Sequence, residues 1–404
     1  MPESPVDASA LLLGGARLAD GRPVDVLLDG PRIEAVGAAS SLAPRVGRLD
    51  LRGYLLLPAP AEPHAHADTA LTGTTEGPPS HRLEDVRHRA TEAALLQLGH
   101  GATALRAHVR IGDVQGLGSL EGVLAARRSL RGLTDLTAVA VPRLLTGVAG
   151  AGHLAALCDA VDMGADVIGG CPDLDPDPAG CAEAVLDLAA SRGRPVDLHT
   201  DGDDPARIAR LAAMAGGFRP GVRIGPCAGL SRLSADEAAR TADRLAAAGV
   251  TVICLPQGGC SGARLRGAPP VRLLRAAGVR VAAGGGALRD SSNPVGRGDP
   301  LEAAYLLASQ EGLSPEEAYE AVSGAARTAL GLPEVRVEAG CPAELLAVRG
   351  DGLAGTLSLA YSRIVVHRGR VVARTSAVRE YLGSGAAAGL PRQGRTGSGP
   401  GGEP

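Results

Sequence analysis

The sequence predicts a (β/α)8 barrel of the TIM type with a small β-sandwich domain built from both chain ends. Two patterns carry this: short apolar runs alternate with Ala/Leu/Arg-rich helical stretches about eight times through the centre, and strand-and-turn text flanks them on both sides. Composition is the third: 404 residues, 45% hydrophobic and 21% charged, can bury one large core and a smaller one. The expected divisions are residues 1–57 and 335–375 for the two parts of the sandwich, 58–334 for the barrel and 383–404 for a disordered tail.

Taken in order, residues 11–13, 24–28 and 33–36 read as strands, with a turn at Asp29-Gly30. Barrel strands are expected at 55–57, 102–107, 136–141, 166–169, 195–198, 222–225, 250–255 and 279–283. Helical text follows them at 83–98, 120–130, 154–163, 181–191, 205–215, 235–248, 270–277 and 300–310. Strands at 343–348, 363–366 and 371–373 return the chain to the small domain. Eight repeats favour a barrel over an open dinucleotide-binding sheet, and no Gly-rich stretch has G-x-G-x-x-G spacing. Beyond Leu382 the Gly/Pro/Ser/Arg text has no apolar period, hence the expected disorder.

The composition excludes several functions. All 41 basic residues are arginine, so a Schiff-base lysine, a P-loop lysine and a lysine-carbamate metal bridge are ruled out. A net charge of -3 offers no basic field for nucleic acid, and five Tyr, one Phe and no Trp leave little for stacking on bases. Seven Cys without a C-x-x-C pair argue against a disulfide framework and for a reducing, cytoplasmic setting. The longest apolar stretch, 138–158, is broken by Pro142, Arg143 and His153 and is not a membrane span.

Catalytic side chains of a (β/α)8 barrel come from the C-terminal ends of its strands. The first closes with Glu62-Pro63-His64-Ala65-His66-Ala67-Asp68. On extended backbone alternate side chains share a face, so His64 and His66 can reach one metal ion. The fifth closes with Asp197-Leu198-His199-Thr200-Asp201, bringing a third imidazole to the same rim. Three His there suit one divalent ion, Zn or Fe.

These two segments, together with Arg106-Ala107-His108-Val109, Gly164-Ala165-Asp166-Val167-Ile168-Gly169 and Asp290 with Pro294 and Gly296, resemble the amidohydrolase superfamily. The nearer match is its cytosine deaminase branch, over residues 11–374. The resemblance implies a mononuclear metal-dependent hydrolase in which the metal activates water to attack an amidine carbon and release ammonia. It also exposes departures. Where the branch has a proton-passing glutamate this chain has Gly202, where it has a strand-six histidine there is Cys227, and the strand-eight aspartate falls on Gly286. Asp201, Asp203 and Asp290 are the substitute carboxylates at hand. Cys227 is either a fourth, thiolate ligand or a small buried side chain.

Arg143 falls where the branch reads the pyrimidine edge; a guanidinium there would prefer a carboxylate or phosphate, and the alternative is a solvated surface arginine. Ser292 replaces an aromatic over the base, and residues 72–83 look shorter than the branch's substrate loop, so cytosine itself is disfavoured. His108 reads as a hydrogen-bonding residue at the second strand end, and His81, His88, His100, His153 and His367 as surface positions. Two functions remain: a divergent C–N hydrolase, and a non-catalytic homologue that binds or regulates through a small-molecule ligand. Neither membrane nor nucleic acid is expected as a partner, and a homo-oligomer is compatible with both.

Overall fold

A computed structural model describes residues 10–42, 47–74, 77–258, 267–359 and 362–377. The expected tail, 383–404, and Cys260 lie outside the described residues.

The chain opens with five strands, β1 (Leu11–Arg17), β2 (Pro23–Asp29), β3 (Arg32–Ala38), β4 (Arg48–Asp50) and β5 (Tyr54–Pro58). The barrel follows as β6 (Glu62–Ala65), α1 (Leu83–Gly99), β7 (Ala104–Ile111), α2 (Gly118–Ser129), β8 (Asp135–Pro142), α3 (Gly147–Met163) and β9 (Val167–Gly170). It continues with α4 (Pro178–Arg192), β10 (Val196–Thr200), α5 (Pro205–Ala215), β11 (Val222–Pro226), α6 (Ala235–Ala247), β12 (Thr251–Cys254), α7 (Val271–Ala276) and β13 (Arg280–Ala283). Helices α8 (Pro300–Gln310), α9 (Pro315–Val322) and α10 (Gly324–Leu330) lead to β14 (Leu345–Arg349), α11 (Leu353–Leu359), β15 (Arg363–His367) and β16 (Arg370–Thr375).

Strands β6 to β13 form an eight-stranded parallel sheet in sequence order, the arrangement of a (β/α)8 barrel. Helix starts follow local chemistry. Asp177, Asp204 and Asp299 cap α4, α5 and α8, and Ser234 and Ser314 form capping boxes with Glu237 and Glu317.

The remaining eight strands make one continuous sheet from both chain ends, ordered β16-β15-β14-β5-β1-β2-β3 with β4 beside β1. Residues 55–57, counted among the barrel strands although the expected division at 57 puts them with the small domain, belong to this sheet: Leu56 pairs with Ala347 and Leu57 with Leu346. The first barrel strand is β6. A short apolar run reads alike in either sheet, which is why the sequence misplaces it.

Alternation shows how the two units join. Leu55, Leu57, Leu346, Val348 and Val365 enter the core shared with the barrel helices. Leu56, Leu345, Ala347, Ile364 and Val366 face a second core with Leu13, Val26 and Leu28. The same strands therefore serve two cores, one per face.

Helix α10 closes the barrel floor. Arg106 on β7 donates to the Ala329 and Leu330 carbonyls at 3.0 and 3.2 Å, and Arg327 donates to Thr103 Oγ1 at 3.1 Å. No helix among the described residues is long and apolar enough to cross a membrane.

Candidate metal centre

Along β7, Leu105, Ala107, Val109 and Ile111 pack outward into the main core, which turns Arg106 and His108 into the barrel. On β10, Val196 and Leu198 pack outward, which turns Asp197 and His199 inward. Asp197 lies 3.3 Å from both Arg106 Nη1 and His108 Nε2, an ion-pair layer just above the floor. Burial raises the Asp197 carboxyl, but His108 and Arg106 outweigh it and hold it below the usual carboxylate range.

Above this layer the expected imidazoles converge. Ring centroids are 5.3 Å apart for His64 and His66, 5.3 Å for His64 and His199, and 6.2 Å for His66 and His199. One ring nitrogen from each lies within 4.8 Å of the others. Neither nitrogen of His64 nor Nε2 of His66 has a hydrogen-bond partner, a costly state for buried polar atoms unless a cation takes them up. Burial pushes His64 and His66 well below the ordinary imidazole pKa and His199 down to about 4, so all three are neutral at pH 7. Neutral, convergent imidazoles, two of them with unpartnered buried nitrogens, fit a divalent metal.

A deeper trio, His64, His108 and Asp197, is also close enough to share an ion. Its two rings are stacked, with centroids 3.7 Å apart and planes 21° from parallel. Imidazole lone pairs lie in the ring plane, so stacked rings converge less well on one ion than the tilted outer set.

Two carboxylates without an assigned role in the sequence reading set the geometry. Glu62 Oε1 accepts the His64 N–H at 2.9 Å and Oε2 accepts the Gly285 N–H at 2.6 Å. It thereby spans β6 and the segment after β13, the two ends of the barrel sheet. Burial pushes its carboxyl up to about 7, against the lowering effect of these backbone donors. The approach requires glycine at 284, where a Cβ would lie 2.2 Å from Glu62 Oε1. Asp173, after β9, accepts Thr200 Oγ1 at 2.8 Å, the Asp201 N–H at 2.7 Å and Arg207 Nη1 at 2.8 Å, clamping the backbone that follows His199. Its position just past a strand end was the available signal.

The other expected positions are not drawn into the centre. Gly202 is buried and carries no side chain. Cys227 is fully buried, burial pushes its thiol well above the ordinary range, and it joins neither trio. Gly286 has φ +67°, and a Cβ there would lie 2.9 Å from Leu255 Cδ1. Asp290 accepts the Ser292 and Asn293 N–H groups at 2.8 and 3.0 Å and Thr69 Oγ1 at 3.4 Å, so its oxygens hold a turn. Asp201 binds through its backbone, donating to Asp173 and accepting from Gly229 N at 2.7 Å, and neither it nor exposed Asp203 joins a trio. Arg143 is exposed on the bend after β8. Of residues 72–83, positions 75 and 76 lie outside the described residues.

Four histidines expected on the surface are not. His367 is buried with Nδ1 2.9 Å from Glu344 Oε2, and His153 is buried with Nδ1 donating to the Leu144 carbonyl at 3.1 Å. His81 and His100 are half-buried, leaving His88 exposed. A partner far away in sequence makes an imidazole buriable, and linear text does not display it.

The three strand-end imidazoles of the barrel form a group able to hold a metal ion. The chain belongs to the amidohydrolase family, whose model matches residues 83–373. It is 27% identical over 389 residues to a pterin deaminase of Rhizobium rhizogenes, covering 87% of this chain and 88% of that protein. The crystal structure of N-isopropylammelide isopropylaminohydrolase from Burkholderia multivorans superposes with a TM-score of 0.80 at 28% identity, covering 92% of this chain and 100% of that one. For 5-methylcytosine deaminase from Klebsiella pneumoniae the TM-score is 0.78 at 23% identity, with 92% and 98% covered, which establishes the shared fold.

Proposed function

We propose that the chain hydrolyses a C–N bond in a small amino-substituted heterocycle, with His64, His66 and His199 holding one divalent ion, zinc or iron. The convergence of these three neutral imidazoles, His64 buried and His66 and His199 half-buried, carries the reading. A divalent ion held there would supply Lewis acidity and a nucleophile from water at neutral pH. The chain's own residues prepare the site: Glu62 fixes the His64 backbone, Asp173 fixes the backbone after His199, and the barrel wall shields His64 from bulk water. The names of the relatives, a pterin deaminase and an N-isopropylammelide isopropylaminohydrolase, support this bond class.

One observation favours a second reading, a ligand-binding homologue without turnover. No carboxylate among the described residues joins the outer trio, and the nearby Asp290 is engaged in a turn. A positioned general acid or base contributes roughly 10²–10⁴-fold to rate, so its loss alone would leave little turnover.

Ammonia or amine release separates the two. Zinc- and iron-loaded protein is incubated with cytosine, 5-methylcytosine, pterin and an N-alkylammelide, with His199→Ala as control. Release by the parent and not by the variant supports hydrolysis. No release from any of them, with one equivalent of metal bound, overturns it in favour of the second reading.

A further inference from the structure

Strand β7 carries a cation that the metal centre does not use. Its register with β8 is unbroken from Ala104 with Asp135 to Ile111 with Pro142, so its alternating faces persist to the strand end. Arg106 and His108 face inward to Asp197, whereas Val109 and Ile111 pack outward. Arg110 is the next inward position, about 7 Å nearer the mouth than His108 from the strand rise. It is exposed although Val109 and Ile111 beside it are buried. An exposed side chain on the inner face of a barrel strand opens onto the mouth.

The guanidinium belongs to the inward position directly after His108, whose ring stacks on that of His64 with centroids 3.7 Å apart. Among the described residues it has no hydrogen bond or close ion pair; its backbone N–H lies 3.4 Å from Asp68 Oδ2. Arg143 stands two residues beyond Val141, the register partner of Arg110, and is also exposed. Asp68 and Asp173 on the same rim limit the net positive potential, which suits a monoanion better than a phosphate dianion.

We infer that Arg110 binds a carboxylate on the substrate, making the substrate an anionic amino-heterocycle rather than a neutral nucleobase. The inference rests on the proposed reading of the site as one that takes a small heterocycle. Guanidinium and carboxylate match as two parallel hydrogen bonds, a geometry that lysine cannot copy.

The test is calorimetric titration of the zinc-loaded full chain with cytosine and with cytosine-5-carboxylate, for the parent, Arg110→Gln and Arg110→Lys. Zinc content and circular dichroism verify that each variant is folded and loaded. The expected result is a preference of about ten- to a hundred-fold for the carboxylate in the parent, the range of one charge-assisted contact. It falls to near one in Arg110→Gln and is kept in part by Arg110→Lys. Equal affinities in the parent, binding of neither probe, or a preference that survives Arg110→Gln would each overturn it. Ammonia release is scored separately. A charge preference without release defeats the hydrolase reading alone, and equal release from both probes defeats the carboxylate site alone.

Discussion

Glu62 and Gly285 meet across the seam of the barrel, the carboxylate Oε2 accepting the backbone N–H at 2.6 Å. The same side chain accepts the His64 N–H, so the barrel seam and the first proposed metal ligand share one anchor. Replacing Glu62 with Gln presents an amide donor where an acceptor is needed and leaves one buried N–H unbonded. A loss of about 1–3 kcal/mol is expected. Urea unfolding measures it, and an unchanged midpoint would remove Glu62 from the seam.

Metal content tests the outer trio against the deeper one. Elemental analysis of the parent is expected to give about one equivalent of zinc or iron. His64→Ala, His66→Ala and His199→Ala should lose it, and His108→Ala should keep it. Loss in His108→Ala with retention in His66→Ala would move the ion to the deeper trio.

At residue 286 the backbone itself opposes a side chain. Its φ of +67° is left-handed, and the added Cβ would press on Leu255 Cδ1. Gly286→Ala should cost about 1–2 kcal/mol, and Gly286→Asp should be destabilised without any gain in ammonia release. Thermal unfolding beside the release assay checks both; a faster Gly286→Asp protein would mean that this backbone can present a working carboxylate.

Asp299 links the barrel to the terminal sheet. It receives Arg363 Nη1 and Nη2 at 2.8 and 2.6 Å while capping α8 through the Leu301 N–H. Burial raises its carboxyl, but Arg363 outweighs that and the folded pKa lies below 3.8. The unfolded chain then takes up the proton first on acidification. The pair's stabilisation is present at neutral pH and is lost as pH falls through about 4 and lower. Asp299→Asn should cost about 3–5 kcal/mol at pH 7, because Arg363 is left buried and uncompensated, and should flatten this part of the acid limb. Unfolding free energies from pH 3 to 7 give both quantities.

The barrel was legible because repetition is a property of the text: each strand and helix pair leaves the same change of period. His64 and His66 were legible because a spacing of two on extended backbone fixes a shared face. Asp173 and Glu62 were not, since their roles depend on Thr200, Arg207 and Gly285, which only the closed barrel brings near. His367 and His153 escaped for the same reason, their partners Glu344 and Leu144 being set by the fold. Residues 55–57 were misplaced because hydrophobicity marks a strand as buried without naming its sheet.

The pairing of Leu57 with Leu346 joins a segment made early to one made near the end of the described chain. During synthesis β5 leaves the ribosome with the edge meant for β14 still open, and Leu55 and Leu57 wait for a core that does not yet exist. Among the described elements the small sheet is thus completed after the barrel, although its first strands are made before it. A nascent chain stalled before Leu345 would carry an unpaired apolar strand edge, a ready template for another chain, which makes this stretch the one a chaperone has most reason to cover.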